Sequence, residues 1–176
     1  FCPGFNKKTG GLLGKPKNSN QNAIEKVIDR LFLSTREGSI RISTFNYGQS
    51  IFIRFVENLI SADHKVDIFV CYGKPQIAVA EWLGSPFEQT VNKGSVRLIP
   101  IPFLNQDEYD ALLFRCDLNW VRGEDSFVRA QWAAKPFIWD IYPQTEDAHV
   151  KKLDAFLEIY LPLGNPNLAR IFQNMM

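Results

Sequence analysis

The chain has 176 residues, 45% hydrophobic and 22% charged, a globular balance that excludes a disordered or fibrous protein and suits one substantial core. Twenty Lys and Arg against nineteen Asp and Glu leave a formal charge of +1, so there is no bulk basic field to gather nucleic acid. Apolar runs are short and interrupted, as Val96 to Leu104 is by Arg97, Pro100 and Pro102, and none nears the ~20 residues of a membrane span.

Residues 1–17, FCPGFNKKTGGLLGKPK, combine glycines, prolines and lysines without an acid. Gly and Pro break regular structure, so the segment reads as an interdomain connector, with a cationic loop near an anionic ligand as the second reading. From residue 18 to 176 a single domain is expected. Ala23, Ile24, Val27, Ile28 and Leu31 recur at helical spacing behind Asn20 or Asn22 as N-cap. Ser39 to Phe45 alternates with period two and predicts a strand; Ile51 to Ile60 returns to helical spacing. Then follow a strand over Val66 to Cys71, a helix over Gln76 to Leu83 and a strand over Val96 to Ile101. Helices over Gln106 to Phe114, Glu124 to Trp132 and Glu146 to Tyr160 alternate with strands over Asp117 to Val121 and Pro136 to Ile141. A short helix, Asn167 to Met175, is expected to close the chain.

Short strands separated by helices predict βαβ units and an α/β, Rossmann-like fold: a mostly parallel sheet with helices on both faces. Ligands of such folds bind beyond the carboxyl ends of the strands. The loops of interest are therefore Tyr47–Ser50, Pro102–Asp107, Arg122–Ser126 and Tyr142–Thr145. The chain starts on Phe1 and shows no signal peptide, which reads as a piece of a longer cytoplasmic protein. Cys2, Cys71 and Cys116, odd in number and widely spaced, suit reduced thiols rather than a disulfide framework.

Several chemistries are missing from the pattern. His64 and His149 are far apart, no Cys or His pair has metal-ligand spacing, and His149 reads as a surface or packing residue. There is no phosphate-loop signature, no G-x-G-x-x-G turn, no G-x-S-x-G elbow and no Asp-x-Asp pair for a divalent ion. Neither a metal nor a cofactor is expected.

Three clusters remain. RGEDSF, Arg122 to Phe127, falls at a strand-to-helix turn. Gly123 permits the turn, the amides of Asp125 and Ser126 become donors at a helix N-terminus, and Arg122 can hold two phosphate oxygens. On spacing alone the same residues could merely complement the helix dipole, with Arg122 paired to Glu124 or Asp125; the strand's carboxyl end favours the anion site. In PFLNQDEY, Phe103 and Tyr109 could sandwich a base, and Gln106, on the same helix face as Tyr109, matches a pyrimidine edge. Alone, that aromatic pair is more often core packing. Tyr142 in WDIYPQ and Tyr47 in FNYGQ each leave a strand at its carboxyl end.

These motifs carry a resemblance. LNWVRGEDSFVRAQWAAKPFIWDIYPQTEDAHVKKLDAFLEIYL resembles the C-terminal half of the bacterial EarP family, protein-arginine rhamnosyltransferases that modify elongation factor P. FCPGFNKKTGGLL is similar to the family segment in which the N-terminal domain ends. The resemblance implies one half of a metal-independent, two-domain GT-B glycosyltransferase. It would be an inverting enzyme moving L-rhamnose from TDP-β-L-rhamnose to an arginine of elongation factor P, with this chain as the donor-binding half. It implies that Phe103, Gln106 and Tyr109 bind the thymine. Tyr47, Arg122, Asp125, Ser126 and Tyr142 would bind the ribose and diphosphate, and Glu124 and Arg122 would act in catalysis. Tyr109 stands where the family pattern has Phe, and Asp140 where it often has His. The family's acceptor-side aspartates lie outside this sequence. The competing readings are a GT-B enzyme for another nucleotide sugar and a non-catalytic module binding a nucleotide or a protein.

Overall fold

The computed structural model describes residues 21–33, 35–48, 50–142 and 148–160. The elements there are α1 (Gln21–Phe32), β1 (Ile40–Thr44), α2 (Ser50–Leu59), β2 (Val66–Val70), α3 (Lys74–Leu83) and β3 (Val91–Lys93). They continue with β4 (Val96–Pro100), α4 (Gln106–Arg115), β5 (Leu118–Arg122), α5 (Gly123–Ala133), β6 (Phe137–Asp140) and α6 (Ala148–Tyr160). The expected connector over 1–17 and the closing helix over Asn167–Met175 lie outside the described residues. The chain forms two compact units, Lys15–Asp140, which carries β1 to β6, and Ile141–Met176 with Phe1–Gly14, which carries α6.

The sheet runs β3-β4-β2-β1-β5-β6. All neighbouring pairs are parallel except β3 with β4, which is antiparallel. The chain steps outward from β1 through β2 to β4, then returns to the other side of β1 for β5 and β6. This reversal makes the carboxyl ends of β1 and β5 a topological switch point, where a crevice opens between loops leaving for opposite faces.

Period-two alternation builds a core on each face. Ile68 and Val70 of β2, with Val96 and Leu98 of β4, meet Phe52 and Val56 of α2 and Val79 of α3. The intervening Phe69, with Ile99, meets Ile24 and Ile28 of α1 and Leu112 of α4. Further along, Phe127 of α5 stacks on Trp139 of β6 with ring centroids 3.9 Å apart. Central strands buried on both faces explain the unbroken apolar reading of VDIFV, buried at every position.

The one polar residue of that strand is paired. Asp67, fully buried, accepts from Arg36 N–H and Nε, each at 2.8 Å, and from Ser39 Oγ at 2.8 Å. Arg97 adds a contact at 3.3 Å from β4. Burial alone would raise this carboxyl, but the Arg36 amide, Ser39 and the two guanidiniums outweigh it and hold its pKa below the ordinary value. This network ties β2 to β4 and to the turn before β1. No helix among the described residues is long and apolar enough to cross a membrane.

Candidate functional site

A cavity of about 670 Å³ opens at the carboxyl ends of β1, β2, β4 and β5. Its floor is buried Cys71 and Ile101, and its mouth carries Phe103 and Tyr72, 79% and 63% exposed. Gln76 fixes the strand ends beneath: its Nε2 donates to the carbonyls of Val70 at 2.9 Å and Ile101 at 2.8 Å. Burial pushes the Cys71 thiol up to about 12, against a smaller opposing pull from Arg122, so it stays protonated and unreactive near neutral pH.

The β1–α2 loop is held from three sides. Asn46 Oδ1 accepts the Gly48 N–H at 2.9 Å, and the Tyr47 N–H donates to Asp140 Oδ2 at 2.9 Å. Asp140 thus fastens this loop to the end of β6. Gly48 has φ +70, and a Cβ there would lie 2.6 Å from the Lys74 carbonyl oxygen, so only glycine lets the loop approach α3.

On the other side of the switch point, β5 turns directly into α5. Gly123, the first residue of that helix, has φ +61, a left-handed conformation that a β-carbon disfavours. Ser126 closes the turn: its Oγ accepts the Arg122 N–H at 3.0 Å and donates to the Arg122 carbonyl. No side chain caps α5, because its N-cap residue is Arg122, whose guanidinium has donors only. The partial positive charge of this N-terminus therefore faces the cavity lined by Gly123 to Ser126.

The Arg122 guanidinium lies 4.1 Å from the Phe45 ring centroid and 5.0 Å from that of Tyr47. Its Nη1 donates to the Asn46 carbonyl at 3.2 Å. One of five N–H donors is used there, and the stacking rings fix the plane of the rest. Opposite, α4 starts at a capping box: Asn105 Oδ1 accepts the Glu108 N–H at 3.0 Å, and Glu108 Oε2 accepts the Asn105 N–H at 2.9 Å. This start sets Gln106 and Tyr109 on the cavity wall, with Tyr109 edge-on to Phe45 at 5.6 Å.

Tyr47, Phe103, Gln106, Tyr109, Arg122, Glu124, Asp125 and Ser126 therefore share one cavity. Tyr142 falls in the other compact unit, and its side chain is exposed. His149 is half-buried in α6 and His64 is exposed. Sequence reasoning passed over Phe45, Tyr72 and Arg129, which also line the cavity. Asn105 to Glu108 carried a readable capping signal, and Asp125 with Arg129 had the i, i+4 spacing of a helix pair. The second Arg129 partner, Asp110, had no local signal at all.

A mostly parallel sheet reversing its strand order beside β1, with a cavity at that switch point, defines an α/β, Rossmann-like domain. The chain belongs to the EarP family, described as Elongation-Factor P (EF-P) rhamnosyltransferase EarP, whose model it matches over residues 1–176. It is similar to the protein-arginine rhamnosyltransferase of Pseudomonas aeruginosa, 38% identical over 174 residues that cover 91% of this chain and 46% of the relative. The Pseudomonas putida enzyme is 37% identical over 171 residues, covering 91% and 45%. A solved structure described as the structural basis for EarP-mediated arginine glycosylation of translation elongation factor EF-P aligns with TM-score 0.73 and 34% identity. That alignment covers 90% of this chain and 53% of the other. The chain thus spans about half the length of the relatives it matches.

Proposed function

We propose that this chain is the donor-binding half of a GT-B protein-arginine rhamnosyltransferase. It would hold TDP-β-L-rhamnose while L-rhamnose passes, with inversion, to an arginine of elongation factor P. The observation that carries the reading is the pairing of Arg122 with the uncapped N-terminus of α5 at the switch-point cavity. A diphosphate leaving group gains charge as the sugar departs, and fixed donors stabilise that charge without reorganising. Phe103, Tyr109 and Gln106 supply an apolar, hydrogen-bonding wall suited to thymine, and Tyr47 and Asp125 line the same cavity, where they would meet the ribose and diphosphate.

The nucleophile is the hard part, because a guanidinium with pKa above 12 must share its proton before it can attack. Glu124, exposed at the cavity rim, is this chain's candidate for orienting that guanidinium. The proton itself goes to a carboxylate of the facing half. No metal is assigned a role, since Arg122 and backbone amides neutralise the diphosphate.

Calorimetric titration of this chain with TDP, UDP and TDP-rhamnose tests the reading. Saturable binding at one site is expected, tighter for both thymidine nucleotides than for UDP. Absence of TDP binding overturns it.

A further inference from the structure

Arg129 is the feature that the donor reading leaves unused. It is 7% exposed, on the second turn of α5, and is buried between two carboxylates from different helices. Its Nη1 donates to both oxygens of Asp110, at 2.9 and 2.8 Å, and its Nε donates to Asp125 Oδ2 at 2.8 Å. Asp110 belongs to α4, the helix of Gln106 and Tyr109; Asp125 belongs to the first turn of α5, beside Arg122. One guanidinium therefore ties the wall expected to hold the base to the turn expected to hold the diphosphate.

The two carboxylates differ in surroundings. The Asp125 side chain is 70% exposed and lines the cavity, whereas that of Asp110 is 11% exposed. A carboxylate at the N-terminal turn of α5 sits where an incoming diphosphate needs positive potential. Uncompensated, it would repel the ligand; paired with Arg129, its charge is offset and one oxygen, Oδ1, is left to accept from a ligand hydroxyl. The Asp110 contact instead packs the helices together. Burial raises the Asp110 carboxyl despite its guanidinium partner, while the two carboxylates keep Arg129 charged.

From this arrangement, and resting on the donor reading above, the geometry points to Arg129 as a positioning residue for nucleotide binding that acts through Asp125, with Asp110 as its structural anchor. The fork matters as well as the charge. A guanidinium reaches both carboxylates from fixed directions, and an ammonium, a point donor on a flexible stem, does not.

A coupling experiment on this chain separates that role from simple stabilisation. TDP affinity is measured by calorimetry for the parent, Arg129→Met, Asp125→Asn and the double variant, with thermal midpoints recorded for each. Arg129→Met is expected to weaken TDP binding at least tenfold in the parent and less than twofold in the Asp125→Asn background. Asp110→Asn should lower the thermal midpoint yet keep TDP affinity within twofold. Where Arg129→Met fails to fold, Arg129→Lys takes its place, with an expected loss of threefold or more that also vanishes beside Asp125→Asn. Equal losses in both backgrounds, or unchanged affinity in the single variant, overturn the proposal. A parent that binds no TDP defeats the donor reading itself, and this role falls with it.

Discussion

Arg122 packs against Phe45 and Tyr47 before any ligand arrives, so its rotamer is set by the fold. A donor already in place costs little entropy on binding, and hydrogen bonds to a charged group contribute about 1.5–3 kcal/mol. Arg122→Ala should therefore weaken TDP binding roughly 10- to 150-fold, as read by calorimetry; affinity within twofold of the parent would remove the phosphate from this turn. Tyr109 makes a different case. Its ring faces the cavity, but its hydroxyl is buried and has no hydrogen-bond partner among the described residues. Burial holds its pKa well above the ordinary value, so it remains a neutral group with an unmet donor. Tyr109→Phe removes that donor and keeps the ring, and should stabilise the fold by about 1 kcal/mol. Urea denaturation checks this: a clear loss of stability would mean that the hydroxyl has a partner.

At the scale of elements, β2 shows what was legible and what was not. VDIFV reads as a buried strand, and its alternation does send Ile68 and Phe69 to opposite cores. The parallel strands follow from the same signal, β1, β2, β4 and β6 trimmed by a residue at one or both ends and β5 shifted by one so that it takes in Arg122. β3 was missed because VNK is short and largely exposed, and exists only by pairing antiparallel with β4. The site was readable where its chemistry is local, as in RGEDSF and PFLNQDEY, since each motif sits where one strand hands over to one helix. It was unreadable where it depends on tertiary neighbours. Arg129 looks like a surface residue of a helix until Asp110, nineteen positions earlier, closes on it. Asp67 was invisible for the same reason. Its lowered pKa means that its contribution is complete above the unfolded value near 4 and is lost as pH falls through the folded value. Asp67→Asn should cost about 3 kcal/mol at pH 7, since two guanidiniums lose their partner, and should lose less stability than the parent between pH 7 and 3. Urea denaturation at both pH values tests it, and an identical pH dependence would defeat the ion-pair account.

For the molecule as a whole, binding and transfer make separate demands. Neutralising a diphosphate with Arg122 and backbone amides requires no divalent ion, so EDTA should leave TDP binding unchanged; dependence on added Mg²⁺ or Mn²⁺ would refute that. The described lining residues of the cavity all belong to Lys15–Asp140, at the ends of strands and helices of that unit, and on the proposed reading they bind the donor. Transfer asks for more on the proposed mechanism. It needs an acceptor guanidinium within about 3–3.5 Å of the sugar carbon, a carboxylate to share its proton, and a surface to hold elongation factor P. This chain spans about half of its relatives' length, and Glu124 is exposed at the cavity rim. The chain alone should therefore bind TDP-rhamnose and leave elongation factor P unmodified, while fusion to an N-terminal half from a family member should restore transfer. Mass spectrometry of elongation factor P after incubation with chain and donor decides it. A deoxyhexose adduct formed by the chain alone would move the proton acceptor into this half, with Glu124→Gln as the next variant to make.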